Sequence, residues 1–234
     1  LAFGSGATVR SAGDWPAWKC DAGRTATPPH GLNTELHLQW VRELPRARQA
    51  WRDKSNFMLF FDASYEPIVA GKRMFVGSMN SDSVTAYSTE TGEMLWRFYT
   101  GGPVRFAPVA YKNKLFVGSD DGYMYCLDTS EGTLIWKRRG GPSNHRVLGN
   151  ERLIGMWPVR GAPVLHNDVL YWAAGIWPFM GTFIMGLDPD TGETVWTNTG
   201  NGSRWILQQH GALSFAGVAP QGYLAANDEI LLVP

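Results

Sequence analysis

The sequence is short of charge. Asp, Glu, Lys and Arg make up 18% of its 234 residues, and 21 basic side chains balance 21 acidic ones. A chain without net charge offers no electrostatic footprint for nucleic acid or for an anionic membrane surface. The basic groups Lys137-Arg138-Arg139 and Arg42, Arg46, Arg48, Arg52 therefore read as solvated faces. Cysteine is scarcer still, with Cys20 and Cys126 alone. They lie too far apart for a metal-site motif, and neither an adjacent cysteine pair nor a Cys-x-x-Cys-His haem site occurs. Two buried free thiols are the expected state, with a disulfide as the alternative. Long apolar runs are also missing: no stretch reaches the roughly 18 residues that a membrane span needs. The chain opens at Leu1 rather than Met and shows no signal peptide, which reads as a processed form or a piece of a longer protein. Helix signals are confined to Arg46–Lys54, and residues 1–14 read as a flexible segment.

What the sequence does have is a repeat. Residues 116–136, FVGSDDGYMYCLDTSEGTLIW, hold three strand-like runs separated by two turns. Gly122 follows Asp121 in the first turn, and Gly132 can close the second in a left-handed conformation. The second turn and its Trp recur as Ser88 to Trp96 and as Asp188 to Trp196. Ahead of each copy stand Pro67-Ile68-Val69, Ala107-Pro108-Val109 and Ala162-Pro163-Val164. Each leads into an apolar run: Met74-Phe75-Val76, Leu115-Phe116-Val117 or Val169-Leu170-Tyr171. Four strands in about forty residues is the period of a propeller blade. Glu35 to Leu44 alternates around Trp40 and reads as a further outer strand. Gly222-Tyr223-Leu224 and Ile230–Val233 read as the first two strands of another unit. The expected units lie near 35–40, 66–102, 106–141, 161–200 and 222–234, within one partial propeller over 15–234. A blade stopped after two strands would leave an apolar edge.

The motif Asp/Ser-x-x-x-Gly-x-x-x-Trp, ending at Trp96, Trp136 and Trp196, resembles the tryptophan-docking repeat of the PQQ-like β-propellers. Trp15-Pro16-Ala17-Trp18 ahead of Trp40 resembles the lead-in to the first blade of that family. The resemblance implies an all-β fold, of which about three and a half four-stranded blades are present. It also implies structural docking roles for Trp40, Trp96, Trp136 and Trp196 and for the turn glycines Gly92, Gly132 and Gly192. The family includes quinoprotein alcohol dehydrogenases, which bind pyrroloquinoline quinone (PQQ) and calcium, and lipoprotein scaffolds that bind no cofactor. The dehydrogenases typically carry adjacent cysteines beside the quinone, and this chain has none. The leading expectation is therefore an extracytoplasmic, periplasmic ligand- or protein-binding scaffold. Its partner would be a protein or a small anion. The alternative is the N-terminal part of a PQQ- and calcium-dependent dehydrogenase.

Two features go beyond the scaffold. Pro103-Val104-Arg105 and Pro158-Val159-Arg160 are near-identical at the start of successive inner strands. Arg105 and Arg160 would then sit at one level of a funnel and could hold an anionic ligand such as a tricarboxylate. The competing reading is that each pairs with a carboxylate of a neighbouring blade. Trp157, Trp177 and Phe179 concentrate aromatic surface where the third unit is longest. They could form a wall for a flat ligand, or a loop covering its own small core.

Overall fold

A computed structural model describes residues 13–28, 31, 35–47, 64–149, 152–199 and 204–234. Most of the short apolar runs become strands of three sheets, antiparallel but for one parallel strand added to the third. The first sheet orders β1 (Ile68–Ala70), β2 (Arg73–Ser78), β3 (Ser83–Ser88) and β4 (Met94–Tyr99) side by side. The second repeats this with β5 (Val109–Tyr111), β6 (Lys114–Gly118), β7 (Tyr123–Asp128) and β8 (Leu134–Arg139). A hairpin, β9 (Arg146–Gly149) and β10 (Arg152–Gly155), precedes the third sheet. That sheet comprises β11 (Val159–His166), β12 (Val169–Ala174), β13 (Phe183–Leu187) and β14 (Thr194–Asn198), with a 3₁₀ turn at Pro178–Met180. A second inserted hairpin follows, β15 (Arg204–Leu207) with β16 (Leu213–Ala216). β17 (Gly222–Tyr223) then runs parallel to β11, and β18 (Ala225–Ala226) folds back antiparallel on β19 (Leu231–Leu232). The result is an all-β propeller whose sheets do not close a ring among the described residues.

The turn between third and fourth strands is the same object three times. Ser88 Oγ accepts backbone N–H bonds from Glu90 and Thr91, and Asp128 Oδ1 accepts them from Ser130 and Glu131. Asp188 Oδ1 does the same for Asp190 and Thr191. Gly92, Gly132 and Gly192 close these turns at φ of 71°, 69° and 70°, where a Cβ is unfavourable. Each glycine also faces the Trp of the preceding unit. A Cβ would lie 2.7 Å from Trp40 at Gly92, 2.5 Å from Trp96 at Gly132 and 2.7 Å from Trp136 at Gly192. The indole N–H groups reach the same turns, Trp40 to Thr89 O at 2.9 Å, Trp96 to Thr129 O at 3.0 Å and Trp136 to Pro189 O at 3.3 Å. Glycine is thus needed twice, for its backbone and for its missing side chain.

Several expectations change. Glu35 to Leu44 joins no sheet, although Trp40 takes its seat as the other indoles do. Trp96 and Trp136 are half-buried, because a seat on a turn covers one ring face. Trp196 remains 43% exposed, with Tyr171 edge-on at 6.2 Å. Residues 1–12 and 48–54, including most of the expected helix, lie outside the described residues. Cys20 and Cys126 are buried thiols not joined in a disulfide, as expected, and burial pushes the Cys126 thiol up to about 12.

The core is divided between the sheets. Phe116, Met124, Cys126, Leu170 and Trp172 pack with Trp157 between the second and third sheets. Phe75, Val84, Leu115 and Leu127 pack between the first and second. Gly132→Ala should cost about 2–4 kcal/mol, combining left-handed backbone strain with an overpacked contact. In a Trp96→Ala background the same substitution should cost about 1–2 kcal/mol, since only the backbone strain is left. Urea unfolding of the four proteins tests this; equal costs in both backgrounds would rule out the contact.

Candidate functional site

The inner strands have two ends of different character. At one end, the turns between second and third strands meet the links that lead into the next sheet. Asp120 N–H donates to Pro103 O, Gly155 N–H to Asp120 O and Val159 N–H to Ser119 O. These bonds lock the β6–β7 turn between the segment before β5 and the start of β11. Arg105 and Arg160 approach that turn from either side. Arg105 Nε donates to Asp120 Oδ2 at 2.6 Å and Arg160 Nη2 to the same oxygen at 3.1 Å. Asp120 is 1% exposed and both arginine side chains are buried.

The structure therefore brings the two predicted arginines together, on a carboxylate of the chain's own. Around them the charges balance. Arg152, on β10, pairs with Asp82 in the β2–β3 turn and donates to Met79 O. Asp121 accepts from Gly101 N–H and from the Tyr125 hydroxyl. Two carboxylates, Asp120 and Asp82, thus hold three guanidinium groups, and Asp121 lies beside them on a backbone N–H and a phenol. Burial pushes the Asp82 carboxyl above its ordinary range, and Arg152 pulls it only part of the way back. Burial and the neighbouring Asp121 carboxylate together hold the Tyr125 hydroxyl far above the usual phenol range. Asp120 Oδ1 and Arg160 Nε are buried without a partner, so the Arg160–Asp120 fork is only half made.

Asp120, Asp82 and Arg152 were not singled out from the sequence. The signal was present for Asp120: two arginines directed at one level need a counter-charge, and Asp120-Asp121 occupy the intervening turn. Asp82 and Arg152 are 70 residues apart, and no local pattern joins them.

The aromatic candidates separate. Trp157 is a core residue, its indole N–H donating to Met180 O at 2.7 Å and its ring edge-on to Phe183. Trp177 and Phe179 lie outside, 47% and 52% exposed, with ring centroids 6.2 Å apart.

The centre of the inner face is filled. Trp15 pairs with Val69 of β1, and Ala110 N–H of β5 donates to Pro16 O. Trp18 stacks on Tyr223 at 4.0 Å, and Arg24 donates to the carbonyls of Trp18, Pro163 and Leu224. Burial lowers Arg24 to about 10, while Asp21 acts in the opposite sense. At the far end of the inner strands lies a cavity of about 1000 Å³, rimmed by Asp14, Asp21, Lys112, His166, Asp168 and Asp228. Its carboxylates are engaged locally: Asp14 with Gly71 N–H, Asp168 with the Tyr111 hydroxyl, and Asp228 with His166 and Asn167.

The residues present do not fit PQQ at the arginine pair. A tricarboxylate approaching Arg105 and Arg160 would meet Asp120, which already occupies the space between them and shares their charge. Among the described residues, no three His, Cys, Asp or Glu side chains come together as a metal site.

Asp120→Asn should cost about 3–5 kcal/mol, because it leaves two buried guanidinium groups with a neutral partner. Denaturant unfolding at neutral pH measures this, and an unchanged midpoint would mean that water reaches both groups.

The family model for the outer membrane protein assembly factor BamB matches residues 38–204. The chain is 25% identical over 129 residues to a 1-butanol dehydrogenase (quinone) of Thauera butanivorans, covering 48% of this chain and 19% of the relative. It is 23% identical over 143 residues to BamB of Kangiella koreensis, covering 56% of this chain and 31% of the relative. The crystal structure of quinohemoprotein alcohol dehydrogenase from Comamonas testosteroni superposes with a TM-score of 0.58 at 20% identity. That match covers 80% of this chain and 27% of the other, and it supports the fold. The matched parts span less than a third of either curated relative. Three docking turns in series and a family match over most of the sequence place the chain in the PQQ-like β-propeller repeat family, beside BamB.

Proposed function

We propose that this chain works as part of an extracytoplasmic propeller scaffold that binds a protein or a small ligand and carries no quinone chemistry of its own. The observation behind this reading is the commitment of Arg105 and Arg160 to Asp120. It turns the strongest candidate anion site into a buried ionic tie between sheets. Binding is assigned instead to the outer surfaces, where the 3₁₀ turn presents Trp177 and Phe179 and β15–β16 presents Trp205, Leu207 and Leu213. Similarity to a quinone-dependent 1-butanol dehydrogenase supports the second reading, the N-terminal part of a PQQ- and calcium-dependent enzyme.

Titration of the full natural polypeptide with PQQ and calcium chloride separates the two. The scaffold reading expects no stoichiometric quinone absorbance after gel filtration. A retained quinone at one per chain, lost on Arg160→Ala, would overturn it.

A further inference from the structure

The ionic joint at Asp120 is incompletely hydrogen-bonded. Asp120 Oδ2 takes both arginines, Arg105 Nε at 2.6 Å and Arg160 Nη2 at 3.1 Å, while Asp120 Oδ1 and Arg160 Nε have no partner. The Asp120 and Arg160 side chains are 1% and 4% exposed, so bulk solvent serves neither atom. Burying part of a charged group without a hydrogen bond is costly, and folded proteins supply such atoms with partners.

The neighbouring polar groups of the turn are already committed. Asp120 N–H donates to Pro103 O, Gly155 N–H to Asp120 O and Val159 N–H to Ser119 O. Ser119 Oγ donates to Gly102 O and accepts from Asp121 N–H. The Asp121 carboxylate accepts from Tyr123 N–H on one oxygen, and from Gly101 N–H and the Tyr125 hydroxyl on the other. The apolar side is closed as well. Val104 and Val159 precede the two arginines and press on Gly77 and Gly118, where an added Cβ would meet a valine methyl at 2.7 Å.

Charge and valence decide what fits. Asp120 Oδ1 needs a donor, and Arg160 Nε needs an acceptor. An anion would serve the guanidinium but face the bare carboxylate oxygen. A cation would serve that oxygen but face two guanidinium groups. A neutral molecule with an O–H and a lone pair serves both atoms. Those atoms belong to side chains already in contact at 3.1 Å, so the molecule that bridges them is small.

We infer that a buried water completes this joint, donating to Asp120 Oδ1 and accepting from Arg160 Nε. Its way in is the neighbouring Asp82–Arg152 pair, whose side chains are 28% and 22% exposed. Asp82 lies near enough for its carboxyl to feel the charges of Asp120 and Arg105, and its own Oδ1 is a third buried atom without a partner. A buried water typically holds about three such atoms. The second and third sheets are then tied through water near the axis, whereas their outer joint is an indole seated on glycine. The inference is independent of what the propeller binds.

Crystals of the full natural polypeptide diffracting to about 1.5 Å, grown with and without sodium bromide, test it. One density peak should lie within about 3.2 Å of both Asp120 Oδ1 and Arg160 Nε, with no anomalous signal in bromide. In solution, the Arg160 Nε–H resonance should show a nuclear Overhauser contact to a long-lived water, of the sign that separates contact from proton exchange. A bromide signal at the peak would overturn the inference in favour of an anion. A direct fork from Arg160 to both Asp120 oxygens, or an Nε–H without a water contact, would also overturn it.

Discussion

The seat of an indole on a glycine is the contact on which this structure depends. A propeller sheet has two faces to cover, and it cannot cover either alone. Each neighbouring pair here is joined at its outer rim by one ring lying on one turn, with the indole N–H directed to a turn carbonyl. The turn must be stiff to receive the ring. Its stiffness comes from Asp128 or its equivalents holding two backbone N–H groups, and from glycine in a left-handed backbone. Because the ring comes from one unit and the turn from the next, the motif fixes the angle between sheets as well as their spacing.

Nearer the axis a second joint takes over, and its chemistry is ionic. Asp120 is held between two links by its backbone and between two arginines by its side chain. A buried charge of this kind contributes little net stability when compared with an apolar replacement, but a mispaired one is expensive. The network therefore favours one arrangement of the first three sheets over others. The apolar contacts between Phe75, Leu115, Phe116 and Leu170 supply most of the cohesion and are less particular about alignment.

The local features were legible and the long-range ones were not. The third strands and docking turns follow from runs such as Tyr123–Leu127 and from glycine spacing, since each is decided within about a dozen residues. Trp136 was recognisable as a repeated position, but its seat on Gly192 is set by how sheets stack, which no single repeat contains. Glu35 to Leu44 has the pattern of a strand, yet pairing requires a neighbour, and pattern alone cannot supply one. Arg105 and Arg160 were both read as inner-strand residues; Arg160 lies on β11 but Arg105 precedes β5, and the carboxylate between them was read only as a turn. An Asp-Asp-Gly sequence satisfies turn chemistry so well that its side chains looked already explained. Trp157 and Trp177 looked alike in sequence, and they parted because Trp157 precedes an inner strand while Trp177 leads into a surface turn.

The segment ahead of the first sheet covers part of the inner face. Trp18 stacks on Tyr223 there, and the Arg24 guanidinium is spent on three carbonyls. The charged groups at both ends of the inner strands have partners of the chain's own: Asp120 takes both arginines at one, and local hydrogen bonds engage Asp14, Asp168 and Asp228 at the other. What varies between units is the connecting chain. The first link between sheets, from Tyr99 to Val109, is short, whereas the next two hold the β9–β10 and β15–β16 hairpins. Those insertions carry Leu148, Leu153, Trp205 and Leu207 into solvent, residues a monomeric surface rarely gathers without a use. The repeated parts build the frame with identical contacts, so under the scaffold reading proposed above recognition falls to the parts that do not repeat.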